Sequence, residues 1–178
     1  MNIIRTERID LVPATPEFIK LLVADEYVRA GDLLNVVVPD SWPNDDDARA
    51  GLAFHLKAIQ RNSAELHWRI RLIVLRTTRT IIGSINLKGL PDERGTVEVG
   101  WGVSPEYRRQ GLAMEAAEAI IEWVCSQPEA RRIIATIPAD NPASIRVAER
   151  LGMNATGEFR RNLPVWELDC TMPRLTTR

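Results

Sequence analysis

The stretch Val97-Glu-Val-Gly-Trp-Gly-Val-Ser-Pro-Glu-Tyr-Arg-Arg-Gln-Gly-Leu-Ala-Met-Glu-Ala-Ala117 decides the fold of this chain. It opens as a β-like run, Val97 to Val103, and breaks at Ser104-Pro105. A polar turn from Glu106 to Gln110 leads to Gly111, and an Ala-rich helical pattern follows at once. A strand, a basic turn, a glycine and a helix start together make an anion site. The first amides of a helix have no intrahelical acceptor and point outward, and the macrodipole adds roughly half a positive charge there. Phosphate is a natural guest of such an end. Gly111 allows close backbone approach because it has no Cβ, and Arg108 and Arg109 add full charges beside it.

Outward from this stretch the chain reads as alternating short elements. Residues 3 to 12 form a first strand. Thr15 caps a helix from Pro16 to about Ala24, while Asp25 to Pro43 shows no sustained period. The acidic run Asp45-Asp46-Asp47 opens a second helix, about Ala48 to Arg61, where acidic charge suits the dipole. Trp68 to Arg76 and Thr80 to Leu87 read as a hairpin turning at Thr77-Thr78-Arg79, and Thr96 to Val103 is the fourth strand. The central helix, about Gly111 to Ser126, has an apolar face, with Glu115, Glu118 and Glu122 opposite. Arg132 to Ile137 is a strand, and its order after strand and helix implies a parallel pair with a right-handed crossover. Asp140-Asn141-Pro142 caps a helix from about Ala143 to Leu151, stopped by Gly152. Two further strands, Ala155 to Arg160 and Val165 to Thr171, close the chain.

The composition places the chain among ordinary water-soluble domains. It has 178 residues, 45% hydrophobic and 26% charged, with a formal net charge of −1. One domain over residues 1–178 is the expectation. The near-neutral balance gives no reason to expect nucleic acid as a direct partner, and no apolar run is long enough for a membrane span. The amino terminus lacks the apolar core of a secretory leader. Cys125 and Cys170 have no motif spacing and read as buried, reduced core thiols. The expected address is therefore cytoplasmic.

Arg108-x-x-Gly111-x-Ala113, shortly after Val103, resembles the acyl-CoA signature of the GNAT superfamily of N-acetyltransferases, Gln/Arg-x-x-Gly-x-Gly/Ala. Asn141-Pro-Ala-Ser144-x-x-Val147-Ala148-Glu149-Arg150-Leu151-Gly152-Met153 is similar to that family's Asn-x-x-Ser-x-x-x-x-Glu-Lys/Arg-Leu-Gly-Phe segment. Glu98-Val-Gly-Trp-Gly-Val103-x-Pro and Arg5-Thr6-Glu7-Arg8-Ile9-Asp10-Leu11 resemble the ribosomal-protein N-terminal acetyltransferase branch. The resemblance implies an α/β (α+β) fold: one mixed, mostly antiparallel sheet of about seven strands, flanked by about four helices. Its fourth and fifth strands would be a splayed parallel pair. Acetyl-CoA would lie in the splay, with backbone contacts from Trp101 and Val103. Amides of Arg109, Gln110, Gly111, Leu112, Ala113 and Met114 would hold the pyrophosphate, with Arg108 beside them. Asn141 would bond the pantetheine arm, and Ser144 would stand near the sulfur.

Acetyl transfer from a thioester to an amine needs a neutral amine, a stabilised oxyanion and a departing thiolate. Glu98, on the strand whose end meets the thioester, is the candidate general base; the alternative is a salt-bridged strand glutamate. The oxyanion would meet a backbone N–H near Trp101 to Val103. The position where many family members carry an acidic tyrosine is Ala148, so Ser144 is the candidate thiol contact; the alternative is a serine that bonds its own helix. No metal and no acyl-enzyme are expected. His55 and His67 lack partners at motif spacing and read as structural. Trp42 either lines an acceptor pocket or packs its loop, and Arg160-Arg161 reads as a solvated strand end, the alternative being a pair that steers an acidic acceptor. The acceptor favoured by the branch resemblance is a protein N-terminal α-amine. A small amine, such as a polyamine or an aminoglycoside held by Asp40 and Asp45 to Asp47, is the alternative. A catalytically weak acyl-CoA sensor is the reading from another class. The oligomeric state, monomer or homodimer, is open at this level.

Overall fold

A computed structural model describes residues 2–43 and 46–171, with the side chains of residues 46–48 left aside. The acidic run Asp45 to Asp47 therefore lies outside the described side chains. The strands are β1 (Ile4–Arg5), β2 (Ile9–Pro13), β3 (Ile70–Leu75), β4 (Thr80–Leu87), β5 (Thr96–Val103), β6 (Arg132–Thr136), β7 (Asn154–Arg160) and β8 (Leu163–Asp169). The helices are α1 (Pro16–Val23), α2 (Tyr27–Leu34), α3 (Asp46–Arg61), α4 (Leu112–Cys125) and α5 (Pro142–Arg150). Short 3₁₀ turns stand at Ser63–Trp68 and Pro105–Tyr107.

The strands form one mixed sheet in the order β1-β2-β3-β4-β5-β6-β8-β7. All neighbours are antiparallel except β5 and β6, which run parallel across the α4 crossover. This is the mostly antiparallel sheet that the resemblance implies, with the parallel pair that the element order predicts. Strand alternation gives the sheet two apolar faces. Ile9, Leu11, Ile73, Val97, Val99, Ile133 and Ala135 pack with α4 and the buried Ala148 of α5. Val12, Leu72, Val74 and Ile81 pack on the other face with Phe18, Ile19 and Leu22 of α1 and Leu52 and Ile59 of α3.

Three differences from the sequence reading have local causes. The first strand is two, making eight in all, because Thr6 turns the chain: its N–H donates to the Ile9 carbonyl at 3.0 Å, and its hydroxyl oxygen accepts from the Ile9 N–H at 3.2 Å. Helix α2 is a fifth helix, in the segment without a period. Its apolar pattern is broken by exposed Val28 and Leu33 and by the buried Gly31. Gly31 is needed because a Cβ there would come 2.5 Å from the Val36 carbonyl oxygen. The third correction concerns the cysteines. Cys125 at the end of α4 and Cys170 just past β8 are joined by a disulfide, with Cα atoms 5.0 Å apart. The β6–β8 register brings them together, and the Cys170 N–H donates to the Arg131 carbonyl. The two are not separate reduced thiols, so they give no support to a reducing address. Trp42 packs in the core beside α1 and α3, which decides between its two readings.

His55 on α3 is buried, and its Nδ1 has no hydrogen-bond partner. Burial, with the nearby Arg69 and Lys88 charges, pushes its pKa down to about 4. The ordinary histidine value is near about 6.5, so the unfolded chain binds more protons between these two limits and stability rises with pH there. Unfolding free energy measured by denaturant titration is expected to fall by up to about 3 kcal/mol between about pH 6.5 and about pH 4. His55→Phe is expected to flatten that window, leaving only the loss that carboxylates cause at lower pH.

Candidate functional site

Strands β5 and β6 pair at only three positions, Thr96↔Arg132, Val97↔Ile133 and Glu98↔Ile134. Beyond Glu98 they part, while β5 stays paired with β4 as far as Val103 and β6 stays paired with β8 as far as Thr136. The gap is a slit of about 150 Å³ lined by Val99, Gly100, Trp101, Ala135, Thr136, Ile137, Pro138, Asn141 and Ser144. The Lys88 N–H donates to the Glu98 carbonyl, and the Ser104 N–H to the Ile82 carbonyl. In an antiparallel ladder alternate residues address the same neighbour. Glu98, Gly100 and Gly102 therefore turn their backbone groups to β4, while Trp101, which lines the slit, and Val103 turn theirs to the opposite edge, without a strand partner. The Val103 carbonyl is met by Arg108 Nε at 3.1 Å.

The glycine turn stands next to this slit. Arg108 braces the strand end, and Gln110 folds its side-chain amide onto the Glu106 carbonyl at 3.1 Å. Gly111 precedes α4 at φ 78°, a left-handed conformation that favours glycine, and no side chain caps the helix. The first intrahelical bond runs from the Glu115 N–H to the Gly111 carbonyl. The amides of Leu112, Ala113 and Met114 are thus left pointing out of the helix end.

Two residues that hold this turn were not legible as such. Glu115, read as part of the solvent face of α4, accepts hydrogen bonds from the Thr6 hydroxyl, the Arg8 N–H and Arg8 Nε, the last at 2.7 Å. Arg8 Nη1 also donates to the Gln110 carbonyl at 2.8 Å. Burial alone would raise the Glu115 pKa, but the bonds from Thr6 and Arg8 outweigh it and hold the carboxyl below its ordinary value. The β1–β2 corner is thereby clamped to the first turn of α4. The partners lie more than 100 residues apart in the chain, so no local spacing could announce them.

Across the slit, Asn141 caps α5: its Oδ1 accepts from the Ser144 N–H at 3.1 Å. Its side-chain NH₂ is left for another acceptor. The Ser144 hydroxyl makes no hydrogen bond among the described residues, so it does not follow the self-bonding alternative. Both side chains line the slit.

Glu98 lies on the opposite sheet face, almost fully buried. Its Oε1 accepts from Lys88 Nζ and, at 3.0 Å, from the Thr136 hydroxyl; its Oε2 accepts from Arg160 Nη1 at 3.1 Å. Burial would raise its pKa, yet the Lys88 bond and charge, with the Thr136 and Arg160 bonds, hold it below the ordinary value. This is the geometry of the salt-bridged alternative, and a carboxylate so held is a weak proton acceptor. Arg160 is accordingly not a plain solvated strand end. On the same face an added Cβ at Gly100 or Gly102 would meet no heavy atom within 4 Å, so β5 is open there. Among the described residues no group of three or more His, Cys, Asp or Glu side chains is placed to hold a metal ion. No helix among them is long and apolar enough to cross a membrane.

Comparison with known proteins agrees with this geometry. Residues 8–154 match the family model described as an acetyltransferase (GNAT) domain. The uncharacterized N-acetyltransferase YjdG of Bacillus subtilis (strain 168) is 32% identical over 111 residues, 62% of this chain and 66% of that protein. The ribosomal-protein-serine acetyltransferase of Escherichia coli (strain K12) is 25% identical over 121 residues, 66% of this chain and 64% of that protein. The chain thus spans a little under two thirds of the length of these relatives. Among solved structures, a GNAT-family acetyltransferase from Bacillus anthracis superposes with a TM-score of 0.65 at 21% identity, covering 96% of this chain and 100% of that one. RimL, a ribosomal L7/L12 alpha-N-protein acetyltransferase in complex with coenzyme A, superposes with a TM-score of 0.64 at 15% identity, covering 94% and 98%. At such identities the structures share a fold. With the family model matching most of its length, the chain belongs to the GNAT family of acetyltransferases.

Proposed function

We propose that this chain, acting as one domain over residues 1–178, is an acetyl-CoA-dependent N-acetyltransferase that passes acetyl directly to a primary amine. The observation that carries the reading is the parting of β5 and β6 beside an uncapped helix start. Backbone groups at Trp101 and Val103 would take the pantetheine amides. The amides from Arg109 to Met114, with Arg108 and Arg109, would take the pyrophosphate. The Asn141 NH₂ would bond the pantetheine side, and the Ser144 hydroxyl would face the sulfur. The amine nitrogen attacks the thioester carbon, its electron pair forms the new C–N bond, and the oxyanion meets a slit N–H. Collapse breaks the C–S bond, and CoA leaves as thiolate or as thiol, the Ser144 hydroxyl then handing on a proton and regaining one from the water that receives the amine proton. Glu98, the candidate base, comes to the reaction with its oxygens already accepting three bonds, so the amine proton leaves through water.

The favoured acceptor is a protein N-terminal α-amine. The ribosomal-protein-serine acetyltransferase among the relatives supports that branch. The open face supports it too: the buried carboxylate there is already paired with Lys88 and Arg160, a poor setting for a polycation. An α-amine, with a pKa near about 8 against about 10.4 for lysine, also needs less help to lose its proton. The cytoplasm, where acetyl-CoA is available, is the proposed setting.

The test is CoA release from acetyl-CoA with peptides bearing free N-termini, polyamines and aminoglycosides. Release is expected with the peptides and is expected to be lost in Gly111→Asp, which strains the turn and puts a carboxylate at the anion site. Saturable binding with no release across the panel would favour the acyl-CoA sensor, and no binding would defeat the proposal. The clamp generates a second expectation. Glu115→Gln is expected to weaken acetyl-CoA binding about tenfold, the size of one charge-assisted hydrogen bond, with kcat at saturation little changed. Unchanged binding by equilibrium dialysis would show that the clamp does not hold the turn.

A further inference from the structure

The structure assigns Glu98 a positioning role: its carboxylate ties β4, β6 and β7 to β5 at the fork of the sheet and sets the opening of the slit. The inference rests on the proposed acetyl-CoA site and concerns how that site is held.

Glu98 is the last residue of β5 that pairs with β6. The three side chains it binds come from three other places. Lys88 follows β4 directly, Thr136 is the last residue of β6, and Arg160 is the last residue of β7. Thr136 stands two residues past the last β5–β6 pair and lines the slit, whereas Glu98 does not. The bond from the Thr136 hydroxyl therefore fixes how far β6 swings away once the ladder has ended. Arg160 anchors the tip of the β7–β8 hairpin, whose turn residues Arg161 and Asn162 both have left-handed φ, 51° and 64°. Because β8 is the antiparallel partner of β6 as far as Thr136, holding the hairpin tip holds the far wall of the slit as well. The charged groups that face Glu98 are Lys88 from the end of β4 and Arg160 from β7, and Thr136 adds a neutral donor. All three donate to the carboxylate.

The cage predicts coupling among its members, which a general base does not. Acetyl-CoA dissociation constants by equilibrium dialysis, kcat, and the pH dependence of kcat/KM are to be measured for the whole chain and for Glu98→Gln, Glu98→Ala, Thr136→Val and Arg160→Gln. Positioning predicts that Glu98→Ala and Thr136→Val each weaken acetyl-CoA binding about tenfold, with kcat at saturation within about threefold. The Glu98→Ala/Thr136→Val double variant is expected to bind no worse than Glu98→Ala alone, since both remove the same bond. Glu98→Gln, which keeps an acceptor oxygen, is expected to recover most of the affinity, and the pH profile is expected to keep its shape throughout. Arg160→Gln, at a half-exposed site, supplies a variant whose folding is not in question, and it is expected to weaken binding in the same direction. The idea is overturned if Glu98→Gln loses kcat by about 10² or more together with the acidic limb of the profile while Thr136→Val is silent, the pattern of a base. It is equally overturned if all variants bind acetyl-CoA as the native chain does. Failure of the native chain to bind would instead defeat the proposed function. Binding without turnover still reads the cage through the dissociation constants.

Discussion

Backbone amides and carbonyls that leave one ladder must find another partner, and past Glu98 the free edge of β5 has no strand partner in the described chain, although Arg108 meets its Val103 carbonyl. Most features of the site follow from that open edge. The two strands begin as an ordinary parallel pair, separate where β6 turns toward β8, and leave Trp101 and Val103 addressed to a gap. A ligand that carries its own amides can complete such an edge as a third strand would. The uncapped start of α4, a few residues downstream on the same crossover, presents N–H groups without intrahelical acceptors, and in the proposed reading these would take the other end of the same ligand. Acetyl-CoA has both kinds of group, amides in its arm and phosphates beyond them.

The open edge has to be held open. Burying an unsatisfied polar group is unfavourable, and a sheet with two free facing edges would tend to close. Two clamps oppose that. On one side, Glu115 and Arg8 fix the glycine turn to the β1–β2 corner. On the other, the Glu98 carboxylate gathers donors from the ends of β4, β6 and β7. Both carboxyls are partly desolvated, and the hydrogen bonds they accept outweigh that burial. In both clamps the carboxylate is withdrawn from solvent while its cation stays partly exposed, and pairs of this kind add little stability by themselves.

What could be read from the sequence was what is local. The break at Ser104-Pro105, the glycine before an Ala-rich helix and the Asn141 cap each lie within a few residues of what they organise, and the elements form close to where the pattern puts them. The Thr15 cap, whose side chain accepts from the Phe18 N–H, is of the same kind. What was not legible was long-range. Glu115 looks like any exposed helix glutamate until Thr6 and Arg8 arrive from the other end of the chain. Arg160 looks like a solvated strand end until the β7–β8 hairpin delivers it to Glu98, 62 residues away. The pairing of Cys125 with Cys170 depends on the β6–β8 register in the same way. Helix α2 escaped for a different reason: it is only two turns long, and exposed Val28 and Leu33 blur the inward stripe of Tyr27, Ala30, Gly31 and Leu34.

Amide hydrogen exchange, measured residue by residue with and without acetyl-CoA, tests the account most directly. The parted-strand reading predicts new protection at the Trp101 and Val103 amides and at Leu112, Ala113 and Met114. Amides already satisfied within the sheet, such as those of Lys88 and Ser104, should change little. Saturating acetyl-CoA that leaves those five amides exchanging as before would contradict it.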